Sequence, residues 1–301
     1  FEDQGMENPF EFGFVGASDT HMAAIGDDES DFYGKTGLRD ATPQLTGAVP
    51  LSAEEGERRL ENTPNQVREF DAGVYNTGSA ITWGASGITG VWAEDNTRES
   101  IYNAFRRKET FATTGTRIKV RFFGGYGFTD ETLAAPDMLE TAYSEGVSMG
   151  SDLLPNGDSA PRFIVWATQD AISAPLQRLQ IIKGWTVDGE PHEQVFDVAC
   201  SDGLAVDPQT HRCGDNGAQV NLEDCSISAN VGAAELKTVW VDPDFDPSVR
   251  AFYYARVLEN PTCRWSTWDA LKEGYEPRPD FPTTIQERAY TSPIWFRPST
   301  G

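Results

Sequence analysis

The chain has 301 residues, 39% of them hydrophobic and 11% aromatic, with 47 acidic against 24 basic side chains and a net charge of −23. That length makes one large or two ordinary domains, and the apolar content is enough for a sizeable core. So negative a surface excludes nucleic acid and anionic membranes as partners, since both demand a positive footprint; no apolar run approaches the roughly 18 to 20 residues of a spanning helix.

In chain order, the first feature is the apolar run Phe12-Gly13-Phe14-Val15-Gly16-Ala17, which leads directly into Ser18-Asp19-Thr20-His21. The run predicts a strand, and alternation along a strand sends residues i and i+2 to the same face. Asp19 and His21 are thereby expected to point together beyond its carboxyl end. An Asp oxygen with a His nitrogen suits a divalent metal such as Zn, Mn or Fe. The alternative is local: Ser18 or Asp19 caps a following helix and His21 is solvated. His is scarce, with three in the chain.

An acidic stretch, Gly26-Asp27-Asp28-Glu29-Ser30-Asp31, opens a Gly-rich loop that runs through Gly37 to Pro50. A long loop beside a ligand candidate is often functional. Ser52-Ala53-Glu54-Glu55 predicts a capped helix to about Glu61, and Ile88–Ala93 predicts a strand. Asn96-Thr97-Arg98-Glu99 predicts a second helix with Asn96 as its cap, ending in Arg106-Arg107-Lys108. Cations there suit the helix dipole, and their sign also fits anion capture.

From Thr116 the texture changes. Arg117-Ile118-Lys119-Val120-Arg121-Phe122 alternates strictly, and further strands are predicted at 162–167, 179–187, 195–199, 236–241, 252–258 and 292–296, with one helix at 137–145. Short strands divided by turn residues predict an antiparallel β-sandwich, with a boundary near residue 115. Cys200, Cys213, Cys225 and Cys263 all fall in loop-rich sequence of the last third, and none shows C-x-x-C spacing. An even count there favours disulfides and an exported protein, periplasmic or secreted. Three pairings are possible; Cys200–Cys213 with Cys225–Cys263 is favoured because the first closes a short loop. The opening Phe1-Glu2-Asp3-Gln4-Gly5-Met6 reads like the middle of a protein, an expectation of processing or of a fragment.

Longer phrases carry a resemblance. Gly16–His21, Gly87–Glu94, Thr97–Glu99, Glu109–Arg117, Tyr254–Thr267, Ile285–Ala289 and Ser292–Trp295 together resemble the carboxyl-terminal half of a bacterial family known as a domain of unknown function. That family is similar to the PHP (polymerase and histidinol phosphatase) metal-dependent phosphoesterases. The resemblance implies an α/β plus all-β architecture: residues 1–115 as part of a distorted PHP-like β/α barrel, and 116–301 as a β-sandwich-like domain with disulfides. It makes Asp19 and His21 the late Asp-x-His ligands of a multi-metal site whose early His-x-His strand has no counterpart here. The remaining ligands would come from an upstream segment or a companion chain. His192 and His211 sit in predicted exposed turns and do not fill the gap.

The expected function is therefore an exported metal-dependent hydrolase, phosphoesterase-like, using metal-activated water on a small-molecule phosphoester. The alternative is a β-rich binding or structural module without catalysis. No Gly-rich nucleotide loop appears. Arg256, Glu259, Arg264, Trp265 and Trp268 have two readings, the lining of a surface cleft or a packed sandwich edge.

Overall fold

The front of the chain is rich in Gly, Ser and Asp and lacks long β-branched runs, and its elements are correspondingly short. The computed structural model describes residues 10–298; the opening residues 1–6 considered above lie outside the described residues. Helix α1 (Pro43–Thr46) precedes α2 (Ala53–Asn62), whose cap Ser52 accepts a hydrogen bond from the Glu55 N–H. A hairpin of β1 (Val67–Phe70) and β2 (Gly73–Asn76) leads through β3 (Ile88–Val91) to α3 (Arg98–Arg106) and β4 (Thr110–Thr113). The cap of α3 is Thr97, one residue beyond the expected Asn96: its hydroxyl accepts from the Ser100 N–H at 3.2 Å. The basic cluster that follows is largely occupied. Arg107 pairs with Glu109 at 3.1 Å, and Lys108 Nζ donates to the Glu11 carbonyl at 2.8 Å.

The alternating segment becomes β5 (Lys119–Gly125), which buries Val120 and Phe122 and leaves Lys119 exposed. After it come α4 (Asp130–Ala134), α5 (Met138–Glu145), β6 (Gly146–Ser148), β7 (Asp152–Leu153) and β8 (Arg162–Thr168). The long pair β9 (Leu176–Val187) and β10 (Glu190–Cys200) is followed by β11 (Val206–Asp207), β12 (Arg212–Cys213) and β13 (Glu235–Val241). The chain closes with β14 (Ala251–Glu259), β15 (Thr262–Cys263), α6 (Trp265–Lys272), β16 (Thr284–Ile285), β17 (Arg288–Thr291) and β18 (Ile294–Phe296).

One sheet runs β10-β9-β14-β17-β4-β3, with β18 pairing β14 on one side and, in parallel, β7 on the other. A second runs β13-β8-β5-β6. Their apolar faces share a core in which Val120, Phe122, Phe163 and Val165 meet Leu179, Ile181, Tyr253 and Val257. Phe163 is fully buried, with its ring centroid 4.5 Å from that of Tyr253 and 5.5 Å from that of Phe122. A smaller cluster of Phe32, Ile81 and Trp265 fastens α6 to the front of the chain. There Arg264 and the Trp265 indole both donate to the Trp83 carbonyl.

The expected α/β plus all-β architecture with a partial PHP-like β/α barrel is not what forms. Such a barrel needs parallel strands, each followed by a helix packed outside it. Here β3 and β4 are adjacent antiparallel strands, and β4 pairs antiparallel with β17. That sheet thus takes strands from both sides of residue 115, where the chain crosses from β4 to β5 of the second sheet. The protein is β-rich, with six short helices and several sheets, and no closed barrel forms among the described residues.

Cys200–Cys213 and Cys225–Cys263 are disulfide-bonded, with Cα separations of 5.7 and 5.6 Å. The first pins the end of β10 to β12; the second ties a turn-rich loop to β15. Denaturing, non-reducing mass spectrometry should detect no alkylatable thiol, and reduction should cost on the order of 2–4 kcal/mol per bridge in chemical denaturation. Four alkylated cysteines without reductant would remove the case for an oxidising compartment. Among the described residues no helix is long and apolar enough to cross a membrane.

Candidate functional site

The predicted strand before Asp19 is an extended segment held by side chains. Phe14 N–H donates to the Ser292 hydroxyl at 2.9 Å, and the Thr110 and Thr89 hydroxyls donate to the carbonyls of Phe14 and Gly16. A Cβ on Gly16 would stand 2.4 Å from the Ile88 carbonyl oxygen, so only glycine lets the segment lie this close to β3.

At Ser18-Asp19-Thr20-His21 the chain turns. Asp19 takes a left-handed conformation, φ 53°, which short polar side chains tolerate best after glycine. Ser18 Oγ accepts from the Thr20 N–H at 3.2 Å, and the Thr20 hydroxyl donates to the Ala24 carbonyl at 2.9 Å. Strand alternation therefore does not set the relation of Asp19 to His21; the turn does. The His21 N–H donates to the Lys35 carbonyl, and its ring Nδ1 lies 3.0 Å from the Asp19 carbonyl oxygen. A carbonyl accepts only, so Nδ1 is the donor in this contact, and the neutral ring presents its lone pair at Nε2. That is the arrangement of a metal-ligating imidazole, whose other N–H is held by an acceptor.

His21 lines a cavity of about 620 Å³ together with Arg39, Asp40, Arg59, Asn76 and Trp83; Asp19, which is exposed, is outside that lining. The Gly-rich loop is folded around Asp40, which is buried. Its carboxylate accepts from the Lys35 N–H at 2.6 Å and the Thr36 N–H at 3.0 Å. Gly34, at φ +83°, is where a Cβ would overlap that carboxyl, at 2.4 Å. With Asp40 occupied by backbone, the charge facing the cavity comes from two guanidiniums. Glu55 accepts from Arg59 Nε at 2.7 Å and orients it. Arg39 is exposed and has no ion pair among the described residues. Arg39 thereby adds a positive charge to the lining of a cavity in a chain of net charge −23.

As a metal centre, Asp19 and His21 fit in donor type and fall short in number, since a catalytic zinc takes three protein ligands. No group of three or more His, Cys, Asp or Glu side chains that could hold a metal occurs among the described residues. His192 and His211 serve packing: the first stacks on Trp185 at 5.4 Å, and the second meets Phe196 edge-on at 4.9 Å. Of the residues with two readings, Trp265 and Arg264 are buried, Arg256 donates to Gln180 at 2.6 Å, and Glu259 is fully buried. Arg39, Arg59 and Trp83 were not legible as site residues. The nearest signal was the long Gly-rich loop beside His21.

The fold and cavity define a β-rich, disulfide-linked protein with an imidazole and two guanidiniums at one opening. The chain matches the family described as "Protein of unknown function (DUF3604)" over residues 1–298, and it belongs to that family. No curated protein and no solved structure matches it.

Proposed function

We propose that this chain carries one part of an exported metal-dependent hydrolase site acting on a phosphoester, related through its motifs to the PHP phosphoesterases. The observation that carries the reading is the His21 ring. Its Nδ1–H is held by the Asp19 carbonyl, and its residue lines the cavity that Arg39 and Arg59 also line. In this reading Asp19 and His21 give two ligands to a Zn, Mn or Fe ion, which when bound supplies an activated water. Arg39 and Arg59 bind and orient the substrate anion, a fork geometry suited to phosphate oxygens.

The missing ligands come from an upstream segment or a companion chain. Export accords with the two disulfides.

Manganese and zinc binding by the purified protein should fall by at least about tenfold in Asp19→Ala/His21→Ala, with an unchanged circular dichroism spectrum. Arg39→Ala should weaken inorganic phosphate binding and leave metal content alone. Equal metal binding in the double variant would sink the hydrolase reading and favour a binding module without catalysis.

A further inference from the structure

A second cavity, of about 390 Å³, opens where the Asp27–Ser30 loop, the Gly115–Arg117 turn, the 170–174 loop and α6 meet. Its charge is the opposite of the first. Asp27, Asp28, Glu29, Asp170 and Glu287 line it against a single Arg117. Most of this acid is already engaged. Arg117 pairs with Asp27 at 3.2 Å, and Asp28 accepts from the Ser30 N–H at 2.8 Å. Glu29 accepts from the N–H groups of Ala85 and Trp265, both at 2.6 Å. Asp170 accepts from the N–H groups of Arg117 at 2.7 Å and Ile172 at 3.1 Å.

Glu287 is the exception. It is 4% exposed; one oxygen accepts from the Thr114 hydroxyl, and the other, Oε1, has no partner. Near it Glu259, fully buried, accepts from the Ser173 hydroxyl with one oxygen and leaves its Oε1 without a partner. A buried acceptor left unpaired costs roughly 1–3 kcal/mol, so natural folds rarely keep one without a ligand or water to meet it. The rest of the wall mixes hydroxyl side chains, Thr116, Ser173, Ser226 and Thr262 among them, with an apolar side made of Ile172, Ile227, the Trp268 ring and the Cys225–Cys263 bridge.

We infer that this cavity binds a small organic ammonium, whose N–H groups satisfy Glu287 Oε1 and whose carbon body lies against Trp268 and Ile172. The lining charge repels anions. The volume lies in the range of small-ligand pockets, and the aromatic face is one that cations favour. Metal coordination lacks its donor set, since no three-donor group occurs among the described residues.

Burial, with Glu29 and Glu259 nearby, raises the Glu287 carboxyl to about 8, while Arg288 opposes the shift. Glu287 is therefore protonated at neutral pH, and an arriving ammonium displaces that proton to the solvent.

The test is calorimetry and thermal shift with n-butylammonium, 1-butanol and butyrate as probes. Butylammonium should bind and raise the melting temperature, whereas the alcohol and the acid should not. Its affinity should rise about tenfold per pH unit below about 8 and level off above, with the heat depending on buffer ionisation as one proton is released. Glu287→Gln, isosteric and uncharged, should fold normally and lose at least about tenfold in affinity together with the buffer dependence. Asp19→Ala/His21→Ala should leave butylammonium binding intact, which separates this site from the proposed hydrolase. Equal binding of 1-butanol, retained affinity in Glu287→Gln, pH-independent affinity or no binding at all would each overturn the inference.

Discussion

Replacing Asp242 by alanine is expected to destabilise the fold by about 3–5 kcal/mol, measured by urea unfolding with tryptophan fluorescence. Asp242 is 3% exposed and Lys183 6%. The Lys183 ammonium lies 2.6 Å from Asp242 Oδ2, and the Tyr253 hydroxyl donates to the same oxygen at 2.7 Å. The other oxygen accepts from the Asp244 N–H at 2.9 Å, and Lys183 also donates to the Asp244 carbonyl at 2.8 Å. Removing the carboxylate leaves a buried ammonium with one neutral acceptor and a buried phenol with none. The pair itself is worth far less than its rupture, because two buried charges cost desolvation that a matched apolar pair avoids. A Lys183→Met/Asp242→Leu variant should therefore recover most of the loss. Equal destabilisation in the single and double variants would show that the site matters through shape alone.

The second large effect is on pH dependence. The Glu287 carboxyl is raised from 4.5 to about 8 and Glu259 to about 7, in each case chiefly by burial. An acid whose folded value lies above its unfolded value favours the fold while protonated. That stability is whole below pH 4.5 and is lost as pH rises toward about 8 for Glu287. The slope reaches about 1.4 kcal/mol per unit, so several kcal/mol lie within this window. Glu287→Gln stays neutral and should flatten the profile between these limits, leaving the variant more stable than the parent above pH 8. A residual slope up to about pH 7 should persist from Glu259 and vanish in Glu259→Gln/Glu287→Gln. Parallel stability curves for parent and Glu287→Gln would refute the burial of a charge at this position.

How legible these features were follows from the range of the interactions behind them. Residues 117–122 and 252–258 alternate apolar with polar or half-buried side chains, and both became strands of the main sheets. Pairing was out of reach: β4 joins β17 across most of the chain, and no local pattern encodes that register. Helix α6 escaped notice because Trp265, Ser266, Thr267 and Ala270 are all buried, leaving no polar face to set a period. The Cys200–Cys213 loop was short enough to favour its pairing; its partner bridge followed by elimination. For the candidate site, the residues of the Asp19–His21 turn were visible while its geometry was not, because strand alternation was assumed where a left-handed residue reverses the chain. Glu259 and Glu287 looked like ordinary acids in an acidic protein. Their burial arises from three segments far apart in sequence, at 29, 173 and 259–287.

The order in which the main sheet can be completed has a consequence for biosynthesis. Strands β3 and β4 are among the first made, yet β4 waits for β17, and β18 must then slot between β14 and the much earlier β7. Ser292 clasps Thr110, 182 positions away. Contacts of such long range slow folding, because the chain closes large loops before any pairing compensates for them. During vectorial synthesis the front of the molecule therefore stays unsealed until the last described strand has emerged. A nascent chain halted before Arg288 should be protease-sensitive as far back as β3, and a holdase that keeps it open would work with this topology.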